Sequence, residues 1–221
     1  NSPYMSPSAF AGNVLLIDLA ELHRRGWLDS ADLEPDARFK PRRIDFEAVI
    51  PFRMKRLERA AARFATTTDR RDLADYQAFC DSHRDWLEDY ALFMTLGEHH
   101  AGQVWSEWHA ALAGRQPAAL EAAARQHAPR VAFWKFCQWC FFRQWAALKA
   151  YANQRGVQIV GDTPIFIAYH SAEVWAHRDL FELDALGKPT LVAGVPPDAF
   201  SELGQRWGNP IYRWERMAAE D

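Results

Sequence analysis

No apolar run in this sequence reaches the length of a membrane-spanning helix and no signal peptide stands at its start, so the expectation is a soluble cytoplasmic protein with no membrane partner. Cysteine is scarce. Three among 221 residues, an odd number, argue against a disulfide framework and for a reducing compartment. Excess charge of either sign is missing too. A formal net charge of -3 gives no broad attraction to phosphate backbones, so nucleic acid is not an expected partner and neutral substrates fit better. Also absent are the G-x-x-x-x-G-K-[ST] phosphate loop, the G-x-G-x-x-G dinucleotide turn and the G-x-S-x-G nucleophile elbow. There is no internal repeat and no low-complexity tract.

What is present is core-forming material. Hydrophobic residues make up 49% of a chain long enough for one large domain or two small ones. The most informative stretch is 192–214, VAGVPPDAFSELGQRWGNPIYRW. Its prolines and glycines disfavour regular helix or strand, yet Phe200, Trp207, Tyr212 and Trp214 make it too aromatic for a solvated linker. Asp198, Gln205, Arg206 and Asn209 are interleaved with those rings. Sugars call for that mixture, because a pyranose has an apolar C–H face and a hydroxyl rim. The alternative is an ordered loop whose rings pack on its own core.

The Ser/Pro-rich opening, NSPYMSPSAF, has the character of a connecting loop and suggests a piece of a longer chain. Residues 13–22 form a short apolar run, with strand weakly favoured over helix. Arg38, Lys40, Arg42 and Arg43 read as a solvated edge. Residues 46–64 keep a rough helical spacing, and a second helix is expected over 72–96. Glu98, His99 and His100 match neither zinc order, H-E-x-x-H or H-x-x-E-H, and read as surface residues. Residues 117–127 are Ala-rich and helical in pattern. The stretch 131–151 is apolar nearly all round, so a buried helix is expected, with Cys137 and Cys140 as packed thiols and not as a redox or metal pair.

Gly156 is placed to cap that helix, and the β-branched run 157–160 suits a central strand. Asp162 follows at the strand's C-terminal tip, where β/α barrels gather their active sites. A turn or helix-capping aspartate is the other reading. Glu173, Glu182 and Asp184 look like ordinary surface charges.

Taken together, SPYMSPSAFAGN, WLEDYALFM, FFRQWAALKAYANQRG, GDTPIFIAYHSAEVW and the GVPPD…GQRWGNP loop resemble the 4-alpha-glucanotransferases, the amylomaltases or disproportionating enzymes of glycoside hydrolase family 77 in the alpha-amylase clan. The resemblance implies an α/β fold: an incomplete (β/α)8 TIM-type barrel with a large helical insertion. It divides the chain into an early barrel segment with a substrate loop at 1–45, a helical subdomain and barrel helix at 46–151, and a barrel strand with an active-site covering loop at 152–221. The implied activity is retaining transfer of alpha-1,4-glucan segments between maltooligosaccharides, in starch, glycogen and maltodextrin metabolism, with no metal or organic cofactor. By matched motif, Ser2, Tyr4, Asp162, Asp198, Phe200, Gln205, Trp207 and Asn209 fall at substrate-binding positions, Asp162 as a supporting carboxylate and not as nucleophile. The family's nucleophile and acid/base carboxylates come after the GNP-x-Y-x-W block, beyond this sequence. Arg43-Ile44-Asp45 mimics the nucleophile motif but precedes a charged helix. Departures from the family pattern stand at Met5, Val14, Ala199 and His170. Self-association through an exposed barrel edge is a further expectation. Two other readings stay open at this point: a non-catalytic glucan-binding or scaffold module built from part of the same fold, and an interaction protein made of the helical segment.

Overall fold

The computed structural model describes residues 5–67, 69–162 and 165–219. Helix dominates, as spacings of three and four between apolar residues require. The helices are α1 (Leu19–Arg24), α2 (Phe46–Phe64), α3 (Arg70–Ser82), α4 (Arg84–His99), α5 (Ala110–Ala113), α6 (Pro117–Gln126), α7 (Ala128–Gln154), α8 (Ala172–Ala176) and α9 (Trp214–Ala218). Strands β1 (Val192–Val195) and β2 (Gln205–Pro210) form the one sheet among the described residues, an antiparallel pair. No described helix is long and apolar enough to cross a membrane.

The chain forms two compact units. One contains 12–84 and 132–160, and its core is aromatic. The Phe64 ring of α2 lies 5.3 Å from Trp27, 5.3 Å from Tyr76 and 5.0 Å from Trp139 of α7, close enough for the edge-on and tilted contacts that ring quadrupoles favour. Trp139 donates its indole N–H to Asp75 at 2.9 Å. Gln138 is fully buried, and its amide both accepts from the Gly12 N–H at 2.8 Å and donates to the Gly12 carbonyl at 3.0 Å, so a polar side chain inside the core is satisfied by backbone. Gly12 permits this approach because a Cβ there would sit 2.0 Å from the Phe141 ring. Asp45 caps α2 by accepting from the N–H groups of Glu47 and Ala48, which is why Arg43-Ile44-Asp45 belongs to a helix start.

Four expectations change along the chain. Residues 13–22 form a 3-10 turn (Val14–Leu16) and then α1, not a strand; Asn13 and Asp18 each accept a backbone N–H and so nucleate helical turns. The expected single helix over 72–96 is two, α3 and α4, because His83 closes α3 by donating its N–H to the Phe79 carbonyl and stacks on the Phe79 ring. Helix α7 is mostly buried from Val131 to Cys140, but Trp145, Leu148 and Tyr151 are exposed. The run 157–160 is exposed, with no regular secondary structure and no ladder partner among the described residues, so the β-branched sequence has the local propensity for strand without the neighbour that makes one. Gly156, with φ of 73°, ends α7 in the left-handed conformation.

The other unit contains 1–11, 85–131 and 161–221. Its core gathers Phe93 of α4, Trp108 and Trp175 of α8, with ring centroids 5.5 to 5.9 Å apart. Two indole N–H groups in this unit are paired: Trp175 donates to the Leu112 carbonyl at 3.0 Å, and the fully buried Trp105 to the Tyr169 carbonyl at 2.9 Å, whereas the buried Trp108 indole N–H has no hydrogen-bond partner among the described residues. His170 accepts the Trp105 backbone N–H at 3.1 Å, and burial holds its pKa below the ordinary imidazole value.

Candidate functional site

The stretch 192–214 is not the irregular loop its composition suggests, for it folds into a hairpin in the second unit. Val195 pairs with Gln205, Gly194 with Arg206 and Val192 with Pro210, with an irregularity between Val192 and Gly194. Glycine makes the pairing possible at two places. A Cβ on Gly194 would lie 2.4 Å from the Gln205 carbonyl oxygen, and Gly204, at φ 71°, would carry one 2.6 Å from the Val195 oxygen.

The tip, 196–204, is ordered by its own hydrogen bonds. Asp198 Oδ1 accepts the N–H groups of Phe200 and Ser201 at 2.8 and 2.9 Å, and the Ser201 hydroxyl donates to the Gly204 carbonyl at 2.7 Å. Phe200 and Leu203 project from this turn at 93% and 94% exposure. On β2, Trp207 is 44% exposed and donates its indole N–H to Gln205 Oε1 at 3.1 Å, which fixes one ring edge while leaving a face open. The Phe166 ring lies 6.4 Å away, centroid to centroid. The hairpin therefore offers aromatic faces beside a side-chain amide, a surface suited to an apolar, hydroxyl-rimmed ligand.

Asn209 behaves differently. It is 3% exposed and donates to the Ile167 carbonyl at 2.8 Å, with Met5 Sδ at 3.9 Å, so its amide is committed inside the fold at the hairpin's base. Asp162 is exposed and follows the unpaired segment 157–160. Ser2 and Tyr4 lie outside the described residues. The structure thus gathers Asp198, Phe200, Gln205, Trp207 and Asn209 on one hairpin, and of these it leaves Asp198, Phe200, Gln205 and Trp207 exposed and Asn209 buried.

Glu173 corrects the sequence reading most plainly. It is not a surface charge but 9% exposed, on a one-turn helix whose Ala172, Val174 and Trp175 are also buried. Its Oε1 accepts from the Ser8 hydroxyl at 2.5 Å, and the neighbouring Ala172 N–H donates to the Pro7 carbonyl at 2.9 Å, fastening the segment after Met5 to α8. Burial raises the Glu173 carboxyl above its ordinary range against the opposing Ser8 hydrogen bond, and Tyr212 is raised by burial and by Glu173. The available sequence signal is a lone acid inside the apolar string Ala-Glu-Val-Trp. Among the described residues no group of three or more His, Cys, Asp or Glu side chains is arranged to hold a metal ion.

The whole chain, residues 1–221, matches the family model described as 4-alpha-glucanotransferase. The 4-alpha-glucanotransferase of Thermus thermophilus is 48% identical over 220 residues, covering 100% of this chain and 43% of that protein. That of Synechocystis sp. is 42% identical, covering 99% and 44%. The amylomaltase from Streptococcus agalactiae, solved in complex with acarbose, superposes with a TM-score of 0.94 at 35% identity over 100% of this chain and 44% of its own. The chain thus spans less than half the length of these relatives.

Proposed function

Because this chain belongs to the 4-alpha-glucanotransferase family, we propose that it supplies the glucan-holding part of an enzyme that transfers alpha-1,4-glucan segments between maltooligosaccharides. The supporting observation is the hairpin: Trp207 keeps an open ring face with its N–H tied to Gln205, while Phe200 stands clear of the body. Covering about 100 Å² of such a ring contributes roughly 2.5 kcal/mol, and the Gln205 amide gives the sugar hydroxyls a direction. Tyr4 and Ser2 contact sugar near the cleavage point, and Asp162 supports the reacting ring by hydrogen bonding.

Retaining transfer requires a carboxylate nucleophile and an acid/base carboxyl about 5 to 5.5 Å apart. In this reading both come from the parent polypeptide outside residues 1–221. The nucleophile attacks the anomeric carbon as the acid protonates the leaving glycosidic oxygen; the 4-hydroxyl of a second glucan, deprotonated by the same group, then displaces the enzyme carboxylate. In this reading the segment 157–160, unpaired among the described residues, becomes a strand of a (β/α)8 barrel once neighbours from the rest of that polypeptide are present, and residues 46–151 form the helical insertion and a barrel helix between the barrel pieces 1–45 and 152–221. The exposed Trp145, Leu148, Tyr151 and Val160 are the face those neighbours cover, and in isolation it promotes self-association.

The test is to incubate the full-length enzyme with maltotriose and resolve the products by chromatography. Glucose together with chains longer than maltotriose is the expected result. Absence of both, or release of glucose by hydrolysis alone, would overturn the assignment.

A further inference from the structure

Phe200 is an exposed ring on a turn that no burial explains, since it is 93% exposed and its neighbour Leu203 is 94% exposed. The order of this tip comes from hydrogen bonds centred on one side chain. Asp198 Oδ1 accepts from both Phe200 N and Ser201 N, and the Asp198 N–H donates to the Ser201 carbonyl at 3.0 Å. The Ser201 carbonyl also accepts the Gly204 N–H at 3.1 Å, which closes the turn back onto β2. An aspartate whose oxygen serves two backbone donors two and three residues on is building a turn. That oxygen is then no longer available to a ligand hydroxyl.

We propose that Asp198 is a positioning residue that acts on bound glucan through Phe200, by its Oδ1 fixing the direction in which the Phe200 ring leaves the hairpin tip, and not through a contact between that oxygen and sugar. This rests on the glucan-transfer reading above. The backbone of 198–201 is held before any ligand arrives, so the ring does not have to be ordered on binding. Without the Oδ1 acceptor the tip samples other turns and the ring is presented only part of the time, lowering apparent affinity by that fraction.

The experiment uses the full-length enzyme and maltotriose, comparing wild type with Asp198→Asn, Asp198→Ala, Phe200→Ala and the double variant Asp198→Ala/Phe200→Ala. Asparagine keeps the Oδ1 acceptor and loses the charge, so it is expected within about twofold of wild type. Asp198→Ala and Phe200→Ala should each lower kcat/KM by roughly tenfold, well inside the hundredfold a misplaced positioning group can cost. The double variant should fall no further than Phe200→Ala, because the aspartate has nothing left to orient. Amide hydrogen exchange without sugar gives a second reading: protection at Ser201 and Gly204 should be lost in Asp198→Ala and kept in Asp198→Asn. The inference is overturned if Asp198→Asn falls as far as alanine, if the two single losses multiply in the double variant, if Phe200→Ala is silent, or if Asp198→Ala keeps its amide protection. A wild-type enzyme that forms no transfer products refutes the glucan reading itself, an outcome distinct from all four.

Discussion

The Ser8 hydroxyl donates a 2.5 Å hydrogen bond to Glu173, joining residues 165 apart in sequence. Ser8 Oγ also accepts the N–H groups of Phe10 and Ala11 at 3.1 and 3.2 Å, so its lone pairs are used and its proton goes to the carboxyl. Glu173 Oε2 has no hydrogen-bond partner among the described residues. A half-satisfied buried carboxyl is stabilised by keeping its proton.

That sets a pH dependence of unusual sign. Burial, the dominant influence, raises the Glu173 pKa above the ordinary value of 4.5. Between the ordinary and the raised value the folded protein keeps a proton the unfolded chain has lost, so stability falls as pH rises through this window and is recovered below it. Glu173→Gln, neutral throughout and still an acceptor for Ser8, should gain in melting temperature relative to wild type as pH rises from 4.5, with the difference closing at the acid end. Thermal melts across that range check it, and a pH-independent difference would show that Glu173 holds no such proton. Glu173→Ala, which strands the Ser8 hydroxyl, should cost about 1 to 3 kcal/mol at the acid end, where the wild-type carboxyl keeps its proton, and less as pH rises.

The hairpin makes a second prediction through its glycines. Gly204→Ala must place a Cβ at positive φ, at a cost of roughly 1–2 kcal/mol for the backbone alone, and 2.6 Å from the Val195 oxygen as well. Gly194→Ala meets the Gln205 carbonyl at 2.4 Å and cannot keep the pairing. Both variants should show faster proteolytic cleavage within 196–204, whereas Gly26→Ala, also at positive φ but with nothing within 4 Å, should leave the hairpin's cleavage rate unchanged. Equal rates in all three would mean the strand contact does not depend on glycine.

How much of this was legible in the sequence depended on whether the signal was local. Helices α2, α6 and α7 follow from apolar spacing, and the Gly156 cap from its position after a long helix. Non-local facts were hidden. The strand propensity of 157–160 says nothing about a missing partner, and the glycines and prolines of 192–214 obscured a hairpin that needs Gly194 and Gly204 to close. Glu173 was misread because its burial depends on Ser8, at the far end of the chain. At the candidate site the rings Phe200 and Trp207 were visible as composition, but only coordinates separate the exposed Gln205 from the committed amide of Asn209.

Cysteine chemistry gives a third prediction. Cys137 and Cys140 are fully buried, and burial raises the Cys140 thiol well above its ordinary value, which suppresses the thiolate that reacts. Neither should be labelled by a thiol-specific reagent in the native protein at neutral pH, and both should react at once in denaturant, counted by mass spectrometry of peptides. Rapid native labelling at Cys140 would mean that α7 opens around it.

The last prediction concerns the chain taken alone. Residues 1–221, purified without the rest of the parent polypeptide, should form no transfer products from maltotriose. Enzymes lower their barriers by at least about 8 kcal/mol, and in glycosyl transfer much of that comes from a nucleophile and an acid acting together at one anomeric carbon. Asp162 is a single exposed carboxylate and cannot fill both roles. Glu173 cannot supply the second, because it is buried and bound to Ser8. Binding is a separate matter. Trp207 lies on a hairpin whose tip carries its own hydrogen bonds, so maltoheptaose should still alter tryptophan fluorescence in this chain, and Trp207→Ala should remove the change. Transfer at a rate comparable to the full-length enzyme, with contaminating activity excluded, would mean that a carboxylate pair exists within these residues and that the catalytic half has been placed wrongly.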